Sequence, residues 1–64
     1  MNEEDEDMMW AIESAKAKGS TKEHFIAQVR VSLRKIFSKD AGIMWKRNKL
    51  READRQINRL WVDD

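Results

Sequence analysis

The apolar residues of this chain recur at intervals of three and four positions, which is the spacing that lines one face of an α-helix. Two breaks that contain glycine divide this pattern into three segments. The pattern therefore predicts an all-α fold with three helices, at about 5–17, 21–37 and 41–61. The face expected to be buried in the first helix is Met8, Ala11, Ile12 and Ala15.

The first break carries signals for the end of one helix and the start of the next. Gly19 is placed to end the first helix, because glycine readily adopts the positive φ of a helix C-terminus. We expect the Ser20 hydroxyl to cap the second helix and Glu23 to reach back to the cap. The apolar arc of the second helix predicts the core helix: Phe25, Ile26, Val29, Leu33, Ile36 and Phe37.

The second break covers residues 38–42. Here we expect Gly42 to adopt a positive φ, and Ser38 or Asp40 to cap the third helix. The second and third helices then form a helical hairpin. The apolar stripe expected in the third helix is Ile43, Leu50, Ala53, Ile57, Leu60 and Trp61.

A heptad pattern offers an alternative in which residues 21–61 form one long helix of a coiled-coil oligomer. The positions that would occupy the first seam site are spaced by seven: Val29, Ile36, Ile43, Leu50 and Ile57. In a coiled coil the matching second seam site is also apolar. Here that site includes Ser32, Lys39 and Lys46, so the centre of the seam would be polar. The hairpin is the favoured interpretation.

Length and composition limit the chain to one small domain. A chain of 64 residues buries only about 60% of the surface that its unfolded form exposes, so its core is small. The chain has no cysteine and no spacing of metal ligands to reinforce the fold, so self-association is one source of added stability. We interpret residues 1–64 as a single helical domain, frayed at residues 1–4, and expect a homo-oligomer or a complex with another protein.

The charges are sorted along the chain, although the formal net charge is only +1. Residues 3–7 are all acidic, whereas all 13 basic residues lie between Lys16 and Arg59. The acids within that basic span are Glu23, Asp40, Glu52 and Asp54. Such asymmetry indicates an anionic partner for the basic part, or an acidic head that covers it.

The third helix carries a ladder of arginines four residues apart. Like charges at this spacing destabilise an isolated helix by roughly 0.2–0.5 kcal/mol per pair, so the ladder does not help the helix to form. Guanidinium groups bind phosphate or carboxylate through two hydrogen bonds, and asparagine can read base edges. A solvated face balanced by neighbouring acids is the plainer alternative. The candidate binding face is Arg47, Arg51, Arg55, Arg59, Asn48 and Asn58.

Several large apolar residues lie off the helix stripes, among them Trp10, Met44 and Trp45. Exposed together, they would form an apolar patch of the kind found at protein interfaces, where Trp and Met are enriched. Alternatively, they complete the core of a small bundle. A domain of this size rarely buries three tryptophans fully.

No pattern in the sequence indicates catalysis, a cofactor or a metal. His24 is the only histidine, and it lies in the first turn of the second helix, where capping already explains its neighbours. The acidic residues 3–7 lack the glycine and the spaced oxygen ligands of a calcium loop. We therefore predict no enzyme activity and no small-molecule substrate.

The longest apolar run, residues 8–12, is too short to cross a bilayer, and we expect a cytoplasmic protein. The sequence as a whole predicts a small accessory or regulatory protein that binds a macromolecule, in the first instance a protein. Two alternatives stay open. One is a nucleic-acid-binding protein that uses the arginine ladder. The other is a self-assembling module whose acidic first helix pairs with the basic third helix of a neighbour.

Overall fold

A computed structural model of the chain describes residues 2–62. The three helices are α1 (Glu3–Ala17), α2 (Lys22–Ile36) and α3 (Ile43–Leu60), and no strand occurs among the described residues. The predicted all-α, three-helix fold is confirmed. The break between α2 and α3 rules out the single long helix over residues 21–61. Within residues 2–62, no helix combines the length and the apolar character needed to cross a membrane.

The acidic residues at the start of the chain belong to α1, which begins two residues earlier than predicted. The Asn2 side chain accepts a hydrogen bond from the Asp5 backbone N–H at 2.8 Å and so caps the helix. Four acidic residues occupy the first turn, where the positive end of the helix dipole stabilises them. The fraying predicted for residues 1–4 falls partly on Met1, which lies outside the described residues.

Gly19 ends α1 as predicted. It has a φ of +84°, and its N–H donates to the Lys16 carbonyl at 2.9 Å. The N–H of Ser20 donates to the Ala15 carbonyl at 3.0 Å. These two bonds satisfy carbonyls that the end of a helix would otherwise leave unpaired.

The predicted cap of α2 is wrong by one residue. Thr21, not Ser20, is extended at the start of the helix, and its hydroxyl accepts from the His24 backbone N–H at 3.1 Å. Ser20 is instead held in the turn that closes α1. With the cap at Thr21, Glu23 is the second helical residue and no longer stands at the third position, from which a side chain can return to the cap.

The expectations for the start of α3 are also wrong. Gly42 has a φ of −65° and is the N-cap, without a side-chain hydrogen bond to the helix. The Ser38 hydroxyl accepts from the Asp40 backbone N–H at 3.2 Å, so it shapes the local turn rather than capping α3. Because the backbone at Gly42 is extended, the turn between α2 and α3 contains no residue with a positive φ.

The helices α2 and α3 form an antiparallel hairpin, and α3 also packs against α1. Three pairs mark the antiparallel alignment of α2 with α3: Phe25 with Trp61, Arg30 with Asp54, and Phe37 with Trp45. Within residues 2–62, the hydrogen bonds that join α1 to α3 and the residues after it all involve residues 56–62. Thus α1 covers one end of the hairpin, and the fold is thin, with extents of 39 × 24 × 14 Å.

The core lies where α1 meets the last turns of α3. Among residues 2–62, the buried hydrophobic side chains are Ile12, Ala15, Phe25, Ile57 and Trp61. Ile36 and Ile43 were expected in the apolar stripes, but they are 76% and 75% exposed. Both lie near the α2–α3 turn, away from the end of the hairpin to which α1 is bound.

Candidate functional site

An apolar groove of about 910 Å³ lies between the three helices and is open to solvent. On α2 its wall extends from Phe25 to Phe37, which is about 18 Å at the rise of an α-helix, or roughly three helical turns. Ile36 and Trp45 line it with much of their surface accessible. The apolar lining is Met8, Ala11, Phe25, Val29, Leu33, Ile36, Phe37, Trp45 and Ala53.

An aromatic pair closes the groove at the α2–α3 turn. The rings of Phe37 and Trp45 meet edge to face, with centroids 5.3 Å apart. The Lys49 ammonium lies 5.6 Å from the Trp45 ring centroid and 3.5 Å from the Glu52 carboxylate. The Trp45 ring is therefore held in place by its neighbours, although it stays 49% exposed. Accessible aromatic rings are typical anchors at protein interfaces.

A charged cluster closes the groove at the opposite end. The Arg59 guanidinium donates to both carboxylate oxygens of Asp5, at 2.8 and 3.1 Å. The Gln56 amide donates to the same carboxylate at 3.0 Å and to the Glu4 backbone carbonyl at 3.2 Å. The Asp5 side chain is only 14% exposed. This cluster joins the first turn of α1 to the last turns of α3.

The two ion pairs between helices shift the pKa values of their members. Hydrogen bonds from Arg59 and then from Gln56 lower the pKa of Asp5, and they outweigh the opposing effect of partial burial. Asp5 in turn raises the pKa of Arg59. The hydrogen bond to Asp54 raises the pKa of Arg30 in the same way. Each of these shifts favours the charged form, so both pairs persist at neutral pH.

The predicted arginine ladder is divided by the fold. Arg59 is bound to Asp5 at the rim of the groove. The other three arginines are exposed and form no ion pair within residues 2–62. Asn48 and Asn58 are exposed on the same side of α3. The three arginines available to a partner are called the basic face below: Arg47, Arg51 and Arg55.

The three off-stripe apolar residues lie in different surroundings. Trp45 lines the groove, whereas Met44 is 65% exposed on the side of α3 that carries the basic face. Trp10 is 72% exposed on α1. No ring contact joins Trp10 to Trp45 in the described part of the chain. The structure thus places these residues on three surfaces.

The described residues offer little that resembles catalytic machinery. No group of His, Cys, Asp and Glu within residues 2–62 is arranged to hold a metal ion. The His24 side chain is exposed, and its backbone N–H serves the cap of α2. The cluster around Asp5 consists of an ion pair with Arg59 and hydrogen bonds from Gln56.

The groove itself could not be located from the sequence. Val29, Leu33 and Phe37 occupy the apolar arc that was predicted to be core, and here they are half-buried in the groove wall. Helical phase shows which residues face inward, but not whether another helix covers them. The heptad-spaced residues that continue to the turn, such as Ile36, were the only available sign of an apolar surface longer than α1 can cover.

No protein-family model matches this chain, and no curated protein or solved structure is significantly similar to it.

Proposed function

We propose that this chain is a non-enzymatic binding protein whose groove receives an amphipathic helix of a partner protein. The observation that carries the proposal is the open apolar groove, about three helical turns long, with the held Phe37–Trp45 pair at one end. An amphipathic helix buries its apolar face in such a groove through side chains at positions i, i+3, i+4 and i+7. The predicted role as a small accessory or regulatory protein fits this mode of binding.

The charges around the groove define the partner further. The α1 rim carries Glu4 and Asp7, which are exposed and form no ion pair within residues 2–62. The α3 rim carries Arg55, which is likewise unpaired. We expect a partner helix with basic residues on the side that faces α1. Acidic residues on its other side would then face α3, since complementary charges fix the orientation of a bound helix.

The arginine ladder gives weaker support to nucleic-acid binding than the sequence suggested. Arg59 is held by Asp5, which leaves the basic face of three arginines. That face lacks an aromatic platform, since the exposed large apolar residues beside it on α3 are Ile43 and Met44, and neither is aromatic. Nucleic-acid binding by this surface stays a prediction, and the groove is the better supported site.

The test uses a displayed library of amphipathic helices, about 14 residues long so that they span the groove. Peptides selected on the wild-type chain are then titrated against two variants while tryptophan fluorescence is recorded. Ile36→Glu introduces a charge at the groove wall, where Ile36 is 76% exposed. Val31→Glu makes the same kind of change at a 50% exposed position of α2 outside this groove.

We expect Ile36→Glu to weaken binding by about tenfold or more, because a bound apolar side chain would meet an unpaired charge. Val31→Glu is expected to leave the affinity unchanged. Covering Trp45 should shift its emission to shorter wavelength. A library that yields no binder would contradict the proposal. So would peptides that tolerate Ile36→Glu as well as they tolerate Val31→Glu.

A further inference from the structure

One surface of α1 combines acidic residues with a tryptophan that has no ring or cation partner within residues 2–62. It is called the acidic face here: Glu6, Trp10 and Glu13. The two glutamates are exposed and form no ion pair within residues 2–62. The other two tryptophans each pair with a phenylalanine ring and a lysine. Trp10 has neither contact in the described part of the chain.

The acidic face and the basic face have matching spacings. Along α1, positions 6, 10 and 13 rise by about 6 and then about 5 Å, and along α3 the three arginines are about 6 Å apart. Two carboxylates can therefore meet the outer arginines while Trp10 meets the middle one, Arg51. Guanidinium groups bind carboxylates through two hydrogen bonds and stack on tryptophan faces.

One copy of the chain cannot bring these faces together. Ile12 of α1 and Ile57 of α3 are fully buried in the shared core. At 100° per residue, every member of the two faces lies about 80° or more around its helix from the buried isoleucine, and no ion pair within residues 2–62 joins one face to the other. The complementary surface must therefore come from another molecule, and a second copy of this chain carries it.

We propose that the acidic face of one copy binds the basic face of the next. The two faces differ, so the contact is head to tail, and each copy retains one free face of each kind. Such heterologous contacts form rings if the rotation closes and open chains if it does not. The acidic face lies outside the peptide groove, and the basic face shares only Arg55 with the groove rim, so the proposal does not depend on a groove ligand.

The contact should be weak and sensitive to salt, since its charged groups are exposed and charges at a surface are screened over about 8 Å at physiological ionic strength. We expect sedimentation equilibrium at about 100 µM protein in low salt to give an average mass above the 7.6 kDa monomer. The mass should rise with protein concentration. In about 0.5 M salt it should return to the monomer value.

Charge exchange provides the decisive test. Arg47→Glu with Arg55→Glu reverses the outer arginines of the basic face, and Glu6→Lys with Glu13→Lys reverses the acidic face. Each double variant alone should associate at least about tenfold more weakly than the wild type. An equimolar mixture of the two double variants should recover association. Arg34→Glu with Lys35→Glu alters net charge by the same amount as the first variant, on exposed positions of α2. This control should associate like the wild type.

Trp10→Ala leaves the charge unchanged and should weaken association several-fold, because a cation–π contact is lost. Circular dichroism should show that all variants remain folded, since every altered side chain is exposed, with the largest loss of helix content expected for Glu6→Lys in the first turn of α1. The proposal is overturned if the charge-reversed variants or Trp10→Ala associate like the wild type. It is overturned as well if the mixture does not recover association, or if the α2 control loses as much association as the charge-reversed variants. It is also overturned if the wild type stays monomeric in low salt, whether or not it binds a DNA duplex with a salt dependence that Arg47→Glu with Arg55→Glu abolishes.

Discussion

Asp5 and Arg59 join the first turn of α1 to the last turn of α3 through two parallel hydrogen bonds, although 54 residues separate them in the sequence. The pair has two effects on the surface. It takes one arginine out of the predicted ladder, and it fixes the position of α1 along the hairpin. Because α1 is held at this end, the apolar residues near the α2–α3 turn stay uncovered and form the groove.

The first prediction concerns the small core. Ile12→Ala removes a side chain that is fully buried between α1 and α3, so it should destabilise the fold by about 2–5 kcal/mol. Such a loss is enough to unfold a domain of this size. Ile36→Ala is the matched control, because Ile36 is 76% exposed, and it should alter the free energy of unfolding by less than about 0.5 kcal/mol. Urea titration followed by circular dichroism measures both. Equal effects would mean that the core is elsewhere.

A second prediction concerns the start of α2. Thr21→Ala removes the hydroxyl that accepts from the His24 N–H and should reduce the free energy of unfolding by about 1 kcal/mol. Ser20→Ala should have little effect, because Ser20 contributes its backbone N–H to the end of α1. Thermal unfolding of the two variants compares these adjacent hydroxyls directly. A larger loss of unfolding free energy from Ser20→Ala than from Thr21→Ala would show that Ser20 caps α2, as the sequence suggested.

The third prediction concerns pH. Asp5 has a pKa below its ordinary value of 3.8 in the folded chain, so its ion pair stabilises the fold above that value. This stabilisation should disappear as the pH falls through the lowered pKa. Asp5→Asn should therefore unfold at a lower temperature than the wild type at about pH 6, and the difference should shrink toward about pH 2. The melting temperature across this range measures the effect.

Glu4→Gln is the control for this pH dependence. It removes the same charge from the same helical turn, but the Glu4 side chain is exposed and unpaired within residues 2–62. The Glu4 carboxylate interacts with the helix dipole much as the Asp5 carboxylate does, since both lie in the first turn of α1. A pH dependence in Asp5→Asn equal to that in Glu4→Gln would show that the ion pair with Arg59 adds nothing to stability.

The local part of this fold was predictable from sequence, and the long-range part was not. The helices, the hairpin and the role of Gly19 follow from apolar spacing and glycine chemistry. The choice between Ser20 and Thr21 as cap was harder, since both have the required hydroxyl. The sequence allowed two roles for Gly42, because glycine is accepted at an N-cap as well as at positive φ.

The candidate site depends on relationships that no local pattern records. The sequence pattern of the apolar arc of α2 is compatible with a third helix that covers all of the arc. It is equally compatible with one that covers only its first half. Pairing of Asp5 with Arg59 depends on where α1 crosses α3. The basic character of α3 was evident from the sequence, but which arginine would be neutralised by the fold was not.

The position of α1 on α3 also determines when the fold can be completed. Residues of α2 meet α3 across a short connection, as Phe37 meets Trp45 around the turn. By contrast, α1 docks on residues 56–62. Closing a longer loop costs more entropy, so the hairpin should assemble first and α1 last. During translation, α1 has no docking surface until Ile57 and Trp61 have left the ribosome, so this core becomes ordered only after α3 has emerged.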